Sequence, residues 1–276
     1  MKELKSARTQ ILKKLLPGIK KNVLLKKYTT LRIGGPTRYF YEAKTKEDLI
    51  QAIILAQRLN LPFFILGGGS NLLISDRGFN GLVIKFGQPL SGYINKGLEW
   101  AVGIPGTIQA AVYGNAGAFQ KSMKDVVEKV EVFDVKTSQI KSFKNKDCQF
   151  SYRNSIFKKN KNLIILSVKL KKKKSDFKKI KRYLEYRKKT QPLNFPSAGS
   201  VFMNPQKFSA AYLIEKCGLK GKKIGQAKIS EKHANFIVNL GRASANDVKK
   251  LIGLAKKEVK KKFNINLKEE IVFLGF

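Results

Sequence analysis

The feature that most constrains this chain is a run of three glycines, Gly67–Gly69, followed by Ser70 and Asn71. The apolar segment Phe63–Leu66 stops at the first glycine, and a second apolar segment follows the asparagine. Glycines lose much conformational entropy on folding, so three together indicate a backbone that must approach another group closely. Bare N–H groups in such a loop form an anion nest, and Ser70 and Asn71 add side-chain donors. The loop therefore predicts a phosphate or pyrophosphate site, with an ordinary strand-to-strand turn as the alternative.

The same loop excludes two common nucleotide-binding motifs. No Lys-Ser or Lys-Thr pair follows the glycines, as the nucleotide triphosphate loop requires. The glycine spacing of the dinucleotide fingerprint is missing, and no clear helical pattern follows the loop. A cofactor that carries a diphosphate, held on a scaffold other than the Rossmann fold, is what remains.

The chain is strongly basic, with 56 Lys and Arg against 19 Asp and Glu and a net charge of +37. Nucleic-acid binding is one interpretation of this charge. The excess is mainly lysine, extends from Lys2 to Lys268, and comes without a zinc-finger, RNA-recognition or zipper pattern, so a lysine-biased composition is favoured. We expect no specific nucleic-acid partner, although the positive field attracts anionic small substrates and binds polyanions weakly.

The remaining composition narrows the class of protein further. No apolar run reaches the roughly 18 residues of a membrane helix, and the charged N-terminus does not resemble a secretory signal. Cys148, Cys217 and a single histidine, His233, argue against a structural zinc site and for a reducing compartment. We expect a cytoplasmic protein without a metal or membrane insertion, and favour a monomer.

Hydrophobic periodicity alternates helical and strand patterns along the chain, which is typical of α/β or α+β proteins. Helices are predicted over 45–59, capped by Thr45, and over 245–263, capped by Ser244. A lysine-rich helix over 172–190 is expected to bury one apolar stripe, namely Phe177, Ile180, Tyr183 and Leu184. The composition changes after this helix, so we place a domain boundary between residues 190 and 191.

Seven segments, in collinear order, together resemble one family, the UDP-N-acetylenolpyruvoylglucosamine reductases. They are Tyr28–Pro36, Leu66–Leu73, Gly103–Thr107, Gly114–Ala118, Phe150–Phe157, Pro196–Phe202 and Ile229–Asn239. One such string would be weak, whereas seven in order are specific. The short spacing between Asn204 and His233 resembles the shorter subtype of the family, which lacks an inserted loop over the substrate.

The resemblance implies an enzyme with bound FAD, whose pyrophosphate lies on the glycine loop, and NADPH as hydride donor. The implied reaction reduces a UDP-sugar, UDP-N-acetylglucosamine enolpyruvate, to UDP-N-acetylmuramate for peptidoglycan synthesis. The implied fold is α+β, with an FAD-binding domain of the PCMH type, made of two α+β subdomains, and a C-terminal α+β substrate domain. We therefore expect an N-terminal helical segment over 1–27, the FAD-binding domain over 28–190 and the substrate-binding domain over 191–276.

Site residues are implied where the motifs match the family's positions. Arg153 is implied as the electrostatic stabiliser of a developing enolate, Glu270 as a second stabilising residue and Ser200 as the proton donor. The implied cofactor contacts are Gly67, Gly68, Gly69, Ser70, Asn71, Ile104 and Gly106. The implied substrate contacts are Tyr152, Arg187 and Asn204. His233 is interpreted as a structural residue.

The chain departs from the family pattern in three places, one of which is Met203, where the family usually has lysine. Residues 86–97 stand where relatives have roughly two dozen more residues, including a strand and part of a helix of the FAD subdomain. Gln109-Ala110-Ala111 replaces the usual glycines after the Ile104–Gly106 turn. These changes leave two alternatives to the reductase, namely another FAD-dependent oxidoreductase on the same scaffold, or a degenerate, non-catalytic protein that binds polyanions.

Overall fold

The computed structural model describes residues 2–276, with side chains from residue 8 onward. The chain forms two compact units, each assembled from separate stretches of sequence. The first unit comprises Met1–Val23, Thr37–Gly68 and Asn80–Ile180. The second comprises Leu24–Pro36, Gly69–Phe79 and Lys181–Phe276. Segments 24–36 and 69–79 therefore group with the C-terminal part of the chain, across the linear division at residue 190.

The elements follow the predicted mixture of helices and strands. The helices are α1 (Lys2–Leu15), α2 (Lys46–Arg58), α3 (Ile108–Tyr113), α4 (Met123–Val126), α5 (Ile156–Lys159), α6 (Phe177–Thr190), α7 (Ala210–Lys216) and α8 (Ala245–Phe263). The strands are β1 (Lys20–Leu24), β2 (Pro36–Glu42), β3 (Phe63–Leu66), β4 (Leu72–Ile74), β5 (Phe79–Lys85), β6 (Gly117–Ala118), β7 (Lys121–Ser122), β8 (Val127–Asp134), β9 (Gln139–Lys144), β10 (Leu163–Leu170), β11 (Ser197–Ser200), β12 (Lys223–Ile224), β13 (Ala227–Ile229), β14 (Phe236–Asn239) and β15 (Val272–Leu274).

The first unit contains a four-stranded sheet in the order β1-β2-β5-β3 and a three-stranded antiparallel sheet in the order β10-β8-β9. Strand β3, which leads into the glycine loop, pairs in parallel with β5. Helix α2 begins at a capping box, in which Thr45 and Asp48 satisfy each other's backbone N–H groups. Its buried residues join the strands in one core, so the glycine loop leaves a rigid sheet edge.

The second unit contains an antiparallel sheet in the order β11-β14-β13-β12 and a parallel pair, β15 with β4. Helix α8 begins at the predicted cap, Ser244, which forms a capping box with Asp247. The helix ends at Asn264, whose φ of 56° is the left-handed conformation that terminates many helices. The buried face of α8, from Ala245 to Val259, packs in the core of this unit.

Two helical predictions differ from the structure. The N-terminal helix ends at Leu15, and residues Lys20–Leu24 form a strand where a helical segment through residue 27 was expected. In α6, the predicted buried stripe is only half-buried at Ile180, Tyr183 and Leu184, and it is wrong at Phe177. Phe177 is 70% exposed, and the buried residue of the helix is Arg187. The periodicity identifies the less polar face of a helix, but only tertiary neighbours decide whether that face is buried.

Within the part of the chain that the structure describes, no helix combines the length and the apolar character that a bilayer span requires.

Both cysteines are free thiols, and they differ in accessibility. Cys148 is fully buried, and burial, with a smaller contribution from Asp147, raises the pKa of its thiol to about 12. At pH 8 the thiolate fraction of Cys148 is on the order of one in 10⁴, so we expect almost no alkylation of the folded protein at this position. Mass spectrometry after iodoacetamide should show Cys217, which is partly exposed, modified first. Equal labelling rates of the two thiols in folded protein would contradict this expectation.

Candidate active site

The glycine loop of the first unit lies directly against the turn that precedes α3. A Cβ atom on Gly68 would lie 2.5 Å from the Gly106 Cα, and one on Gly67 would lie 2.7 Å from the Thr107 Oγ1. Side chains at either position would therefore force the loop and the turn apart. The glycines are required by protein packing as well as by any ligand, which the sequence alone did not indicate.

The N–H groups of this loop remain available as donors. Among residues 2–276, the backbone N–H groups of Gly67, Gly68 and Gly69 donate to no acceptor. Gly68 is exposed and Gly67 is half-buried, and successive backbone N–H groups in such a loop form an anion nest. The loop therefore fits the pyrophosphate of a cofactor such as FAD.

Gly69 begins the second unit and is held there by its backbone. Its φ is 62°, and a Cβ atom would lie 1.9 Å from the carbonyl oxygen of Tyr28. The Gly69 carbonyl accepts from the Thr30 N–H at 3.2 Å, and the Thr30 hydroxyl donates to the Ser197 carbonyl at 2.7 Å. The Tyr28–Pro36 motif thus connects the last glycine to strand β11, which carries Ser200.

The shortened segment 86–97 folds against the predicted flavin-side turn rather than remaining open. The Leu90 N–H donates to the Gly106 carbonyl, and the Ile108 N–H donates to the Gln88 carbonyl, both at 2.9 Å. Pro89 and Thr107 form an isolated β-bridge. The segment contains one 3₁₀ turn, Leu90–Tyr93, and a second, Glu99–Ala101, follows it. The segment therefore covers the turn.

Gln109, at a position where the family resemblance led us to expect glycine, holds the segment 86–97 in place. Its side chain is 7% exposed, accepts from the Gln88 N–H at 3.0 Å, and donates to the Leu166 carbonyl at 3.3 Å. One carboxamide thus satisfies both the shortened loop and strand β10. The Gln109 side chain therefore joins segment 86–97 to strand β10.

We expect Gln109→Ala to lower the free energy of unfolding by about 1–3 kcal/mol, since the buried Leu166 carbonyl loses its donor and the part-buried Gln88 N–H loses its acceptor. Urea denaturation followed by circular dichroism measures this change. Gln139→Ala is the matched control, because Gln139 is exposed on β9 and its loss should change stability by no more than about 0.5 kcal/mol. Similar values for the two variants would show that the buried carboxamide contributes nothing to the shortened loop.

Glu99 carries a second candidate ligand-binding atom in the first unit. Its side chain is 9% exposed, and its Oε2 has no hydrogen-bond partner among the described residues. The residue lies in the turn immediately before Ile104 and Gly106. A buried carboxylate oxygen without a donor is costly, so a bound group with N–H or O–H donors fits this position. Together with the open glycine N–H groups, this acceptor matches a cofactor that carries both phosphates and donors.

Tyr152 and Arg153 occupy a tight hairpin in the first unit. Arg153 has φ 54°, and its guanidinium lies 5.3 Å from the centre of the Tyr152 ring. Left-handed backbone at a non-glycine residue is uncommon and is often found at functional sites. The Arg153 carbonyl accepts from Lys158 Nζ at 3.0 Å.

The side chain of a buried asparagine, Asn115, forms a hydrogen bond with this hairpin. Its side chain donates to the Ser151 carbonyl at 2.8 Å and accepts from the Lys124 N–H at 3.0 Å. The residue is 5% exposed. The sequence marked the Gly114–Ala118 motif, but only the structure shows that Asn115 positions the Arg153 hairpin.

In the second unit, Ser200, Glu270 and Asn71 are brought together by their backbones. The Glu270 N–H donates to the carbonyl of Val201, next to Ser200, at 2.8 Å. The Asn71 side chain donates to the Glu270 carbonyl at 3.0 Å, and the Asn71 carbonyl accepts from the Val272 N–H at 2.9 Å. Residues almost 200 positions apart in the chain are thus joined by hydrogen bonds.

Asn235 forms three hydrogen bonds with the segment that follows Ser200. Its side chain accepts from the Phe202 N–H at 2.9 Å and donates to the Phe202 carbonyl at 2.8 Å, while its own carbonyl accepts from the Val201 N–H at 2.8 Å. Asn235 is 2% exposed, so these bonds form in a dry environment. The sequence contained this residue in the Ile229–Asn239 motif without indicating its role as a positioning residue for Ser200.

Asn204, Arg187 and His233 are the other residues of this unit that the sequence analysis considered, and each has different contacts. The Asn204 side chain accepts from the Ala210 N–H at 3.0 Å and so supports the start of α7. Arg187 is 7% exposed, and burial lowers the pKa of its guanidinium. His233 packs edge-on against Phe236, its Nδ1 accepts from the Asn235 N–H, and burial lowers its pKa. These contacts agree with a structural His233.

The fold and these loops define the class as α+β FAD-binding proteins of the PCMH type with a C-terminal domain. The crystal structure of UDP-N-acetylenolpyruvylglucosamine reductase (MurB) from Thermus caldophilus is similar, with a TM-score of 0.79 and 34% identity, over 92% of this chain and 98% of that one. Residues 191–274 match the family model described as UDP-N-acetylenolpyruvoylglucosamine reductase, C-terminal domain.

Curated relatives extend the similarity along the chain. The UDP-N-acetylenolpyruvoylglucosamine reductase of Caldicellulosiruptor bescii is 42% identical over 91% of this chain and 89% of its own length. That of Anoxybacillus flavithermus is 38% identical over 97% of this chain and 98% of its own length. The chain belongs to the UDP-N-acetylenolpyruvoylglucosamine reductase family, which confirms the resemblance of the seven motifs.

Proposed function

We propose that this protein reduces UDP-N-acetylglucosamine enolpyruvate to UDP-N-acetylmuramate in peptidoglycan precursor synthesis. The observation that carries the proposal is membership of the reductase family at about 40% identity over more than nine-tenths of the chain. The open glycine N–H groups and the orphaned Glu99 oxygen support FAD as the cofactor. A bound FAD would supply two-electron chemistry, accepting hydride from NADPH and passing it to the enolpyruvyl group.

The residues of this chain are assigned around the charge that the reaction develops. Hydride addition to the terminal alkene carbon leaves negative charge on the neighbouring carbon and its carboxylate. The forked guanidinium of Arg153 suits that carboxylate, and Glu270 is assigned the second stabilising position. The Ser200 hydroxyl then donates its proton to the carbon, because an enolate is basic enough to accept it. The hydrogen bonds of Asn235 support this assignment by fixing the backbone beside Ser200.

The remaining assignments concern binding. Gly67, Gly68, Gly69, Ser70 and Asn71 hold the pyrophosphate, and Ile104 and Gly106 line the flavin. Tyr152, Arg187 and Asn204 contact the UDP-sugar. We keep residues 28–190 as the FAD-binding domain, 191–276 as the substrate-binding domain and 1–27 as an N-terminal segment. A monomer in the cytoplasm, with no specific nucleic-acid partner, completes the proposal.

Visible absorption of the purified protein tests the proposal directly. We expect oxidised flavin bands that bleach when NADPH is added without oxygen, and that return when UDP-N-acetylglucosamine enolpyruvate follows. Bands that bleach and do not return with this substrate would favour a different flavin oxidoreductase. A colourless protein that cannot be reconstituted with FAD would show that the shortened segment has removed the site.

A further inference from the structure

An open cavity of about 350 Å³ lies within the second unit, and none of the residues assigned to the reductase site lines it. Volumes of this size are typical of small-molecule sites. Its walls come from the loop before β2, from the residue after Ser75 and from the loop before α8. The lining residues are Leu24, Lys26, Arg32, Ile33, Gly34, Gly35, Asp76, Gly241, Arg242 and Ala243.

The cavity has an excess of positive charge. Lys26, Arg32 and Arg242 line it, and within residues 8–276 none of the three forms an ion pair. The one acidic lining residue, Asp76, directs both carboxylate oxygens to the Ala245 N–H, at 2.9 and 3.0 Å. Asp76 thus caps the N-terminus of α8, and the side chains of Lys26, Arg32 and Arg242 remain available to a ligand.

The type of cation in the cavity is unusual for this chain. The sequence contains 47 lysines and only nine arginines, so its general basic character is a lysine character. Two of the nine arginines line this one cavity. Guanidinium groups bind phosphate through two parallel hydrogen bonds, which an ammonium group cannot do. A composition bias alone would place lysines here.

The two arginine-bearing loops are held together by a buried side chain. Asn239 is 2% exposed, donates to the Leu31 carbonyl at 3.1 Å, and accepts from the N–H groups of Gly241 at 2.8 Å and Ala243 at 3.0 Å. Arg32 has φ 56°, a strained value that the surrounding structure maintains. Arg32 and Arg242 are therefore carried on backbones fixed next to each other before any ligand binds.

We propose that this cavity binds a small phosphate monoester. Lys26, Arg32 and Arg242 receive the phosphate, and the side chains of Leu24 and Ile33 provide an apolar wall for the organic part. The site does not involve the residues proposed for FAD or the UDP-sugar, and it binds whether or not the protein contains flavin.

Isothermal titration calorimetry with adenosine 5′-monophosphate, and separately with inorganic phosphate, tests the proposal at low ionic strength. We expect saturable binding of the nucleotide, tighter than that of phosphate, and a loss of affinity of about tenfold or more in Arg32→Gln and in Arg242→Gln. Arg242→Lys keeps the charge and should still lose most of the affinity, because it lacks the fork. Lys249→Met, on the exposed face of α8, removes one charge elsewhere and should change little.

Three results would overturn the proposal. One is the absence of saturable binding, and another is an equal loss of affinity in Lys249→Met, which would show only the general field of the protein. The third is binding that Arg153→Gln abolishes and Arg32→Gln does not, which would place the anion at the proposed active site. Circular dichroism of each variant confirms folding, and Arg242→Gln alters an exposed side chain.

Discussion

Ser200→Ala is expected to lower the rate of substrate reduction by on the order of 10²–10³, as removal of a single donor does at comparable sites. The proposed role of the serine is to protonate the carbon that carries negative charge after hydride addition. Stopped-flow absorbance separates the two half-reactions. Bleaching of the flavin by NADPH should keep its normal rate, because no substrate proton is transferred in that step, while recovery of the oxidised bands by the UDP-sugar should become slow.

Ser197→Ala is the matched control, because Ser197 lies on the same strand, three residues before Ser200. It should leave both half-reactions unchanged, since the carbonyl that accepts from Thr30 is retained. A loss of both half-reactions in Ser200→Ala would indicate a structural role. Turnover within a few-fold of the unmodified protein would remove Ser200 from the mechanism.

Gly69→Ala is expected to lower the free energy of unfolding by about 2–4 kcal/mol, from a left-handed backbone and an overpacked site together. The φ of Gly69 is 62°, and the new Cβ would lie 1.9 Å from the Tyr28 carbonyl oxygen. The neighbouring atom is backbone, so it cannot rotate away as a flexible side chain would. Urea denaturation measures the change in stability, and the flavin content of the purified variant should fall as the nest is displaced.

Gly253→Ala provides a control with the opposite sign. Gly253 is exposed within α8, and a Cβ atom there has nothing within 4 Å. Alanine should therefore raise the free energy of unfolding by about 0.5–1 kcal/mol through helix propensity. If Gly69→Ala is as stable as the unmodified protein, the close approach to Tyr28 does not constrain the loop, and the nest would tolerate side chains.

Much of this protein could be predicted from local sequence. The capping box at Ser244 and the periodicity of α8 determine both ends of that helix, because capping and amphipathicity act within a few residues. The glycine loop indicated a backbone that approaches another group closely, and the family motifs identified the class. These signals depend on residues that are close in sequence, so they can be recognised without the structure.

The tertiary structure decided which groups those local elements meet. Gly68 packs against Gly106, and Asn235 forms hydrogen bonds with the segment after Ser200. The partners in each pair lie tens of residues apart in the chain. The tertiary structure also exposes Phe177 and buries Arg187, against the amphipathic pattern of α6. Gln109 is a further case, because the sequence marked it only as a departure from the family pattern, whereas its side chain bonds the Gln88 N–H and the Leu166 carbonyl. The physical reason is that burial and hydrogen-bond satisfaction depend on neighbours that only folding brings together, whereas caps, turns and periodicity depend on residues adjacent in the chain.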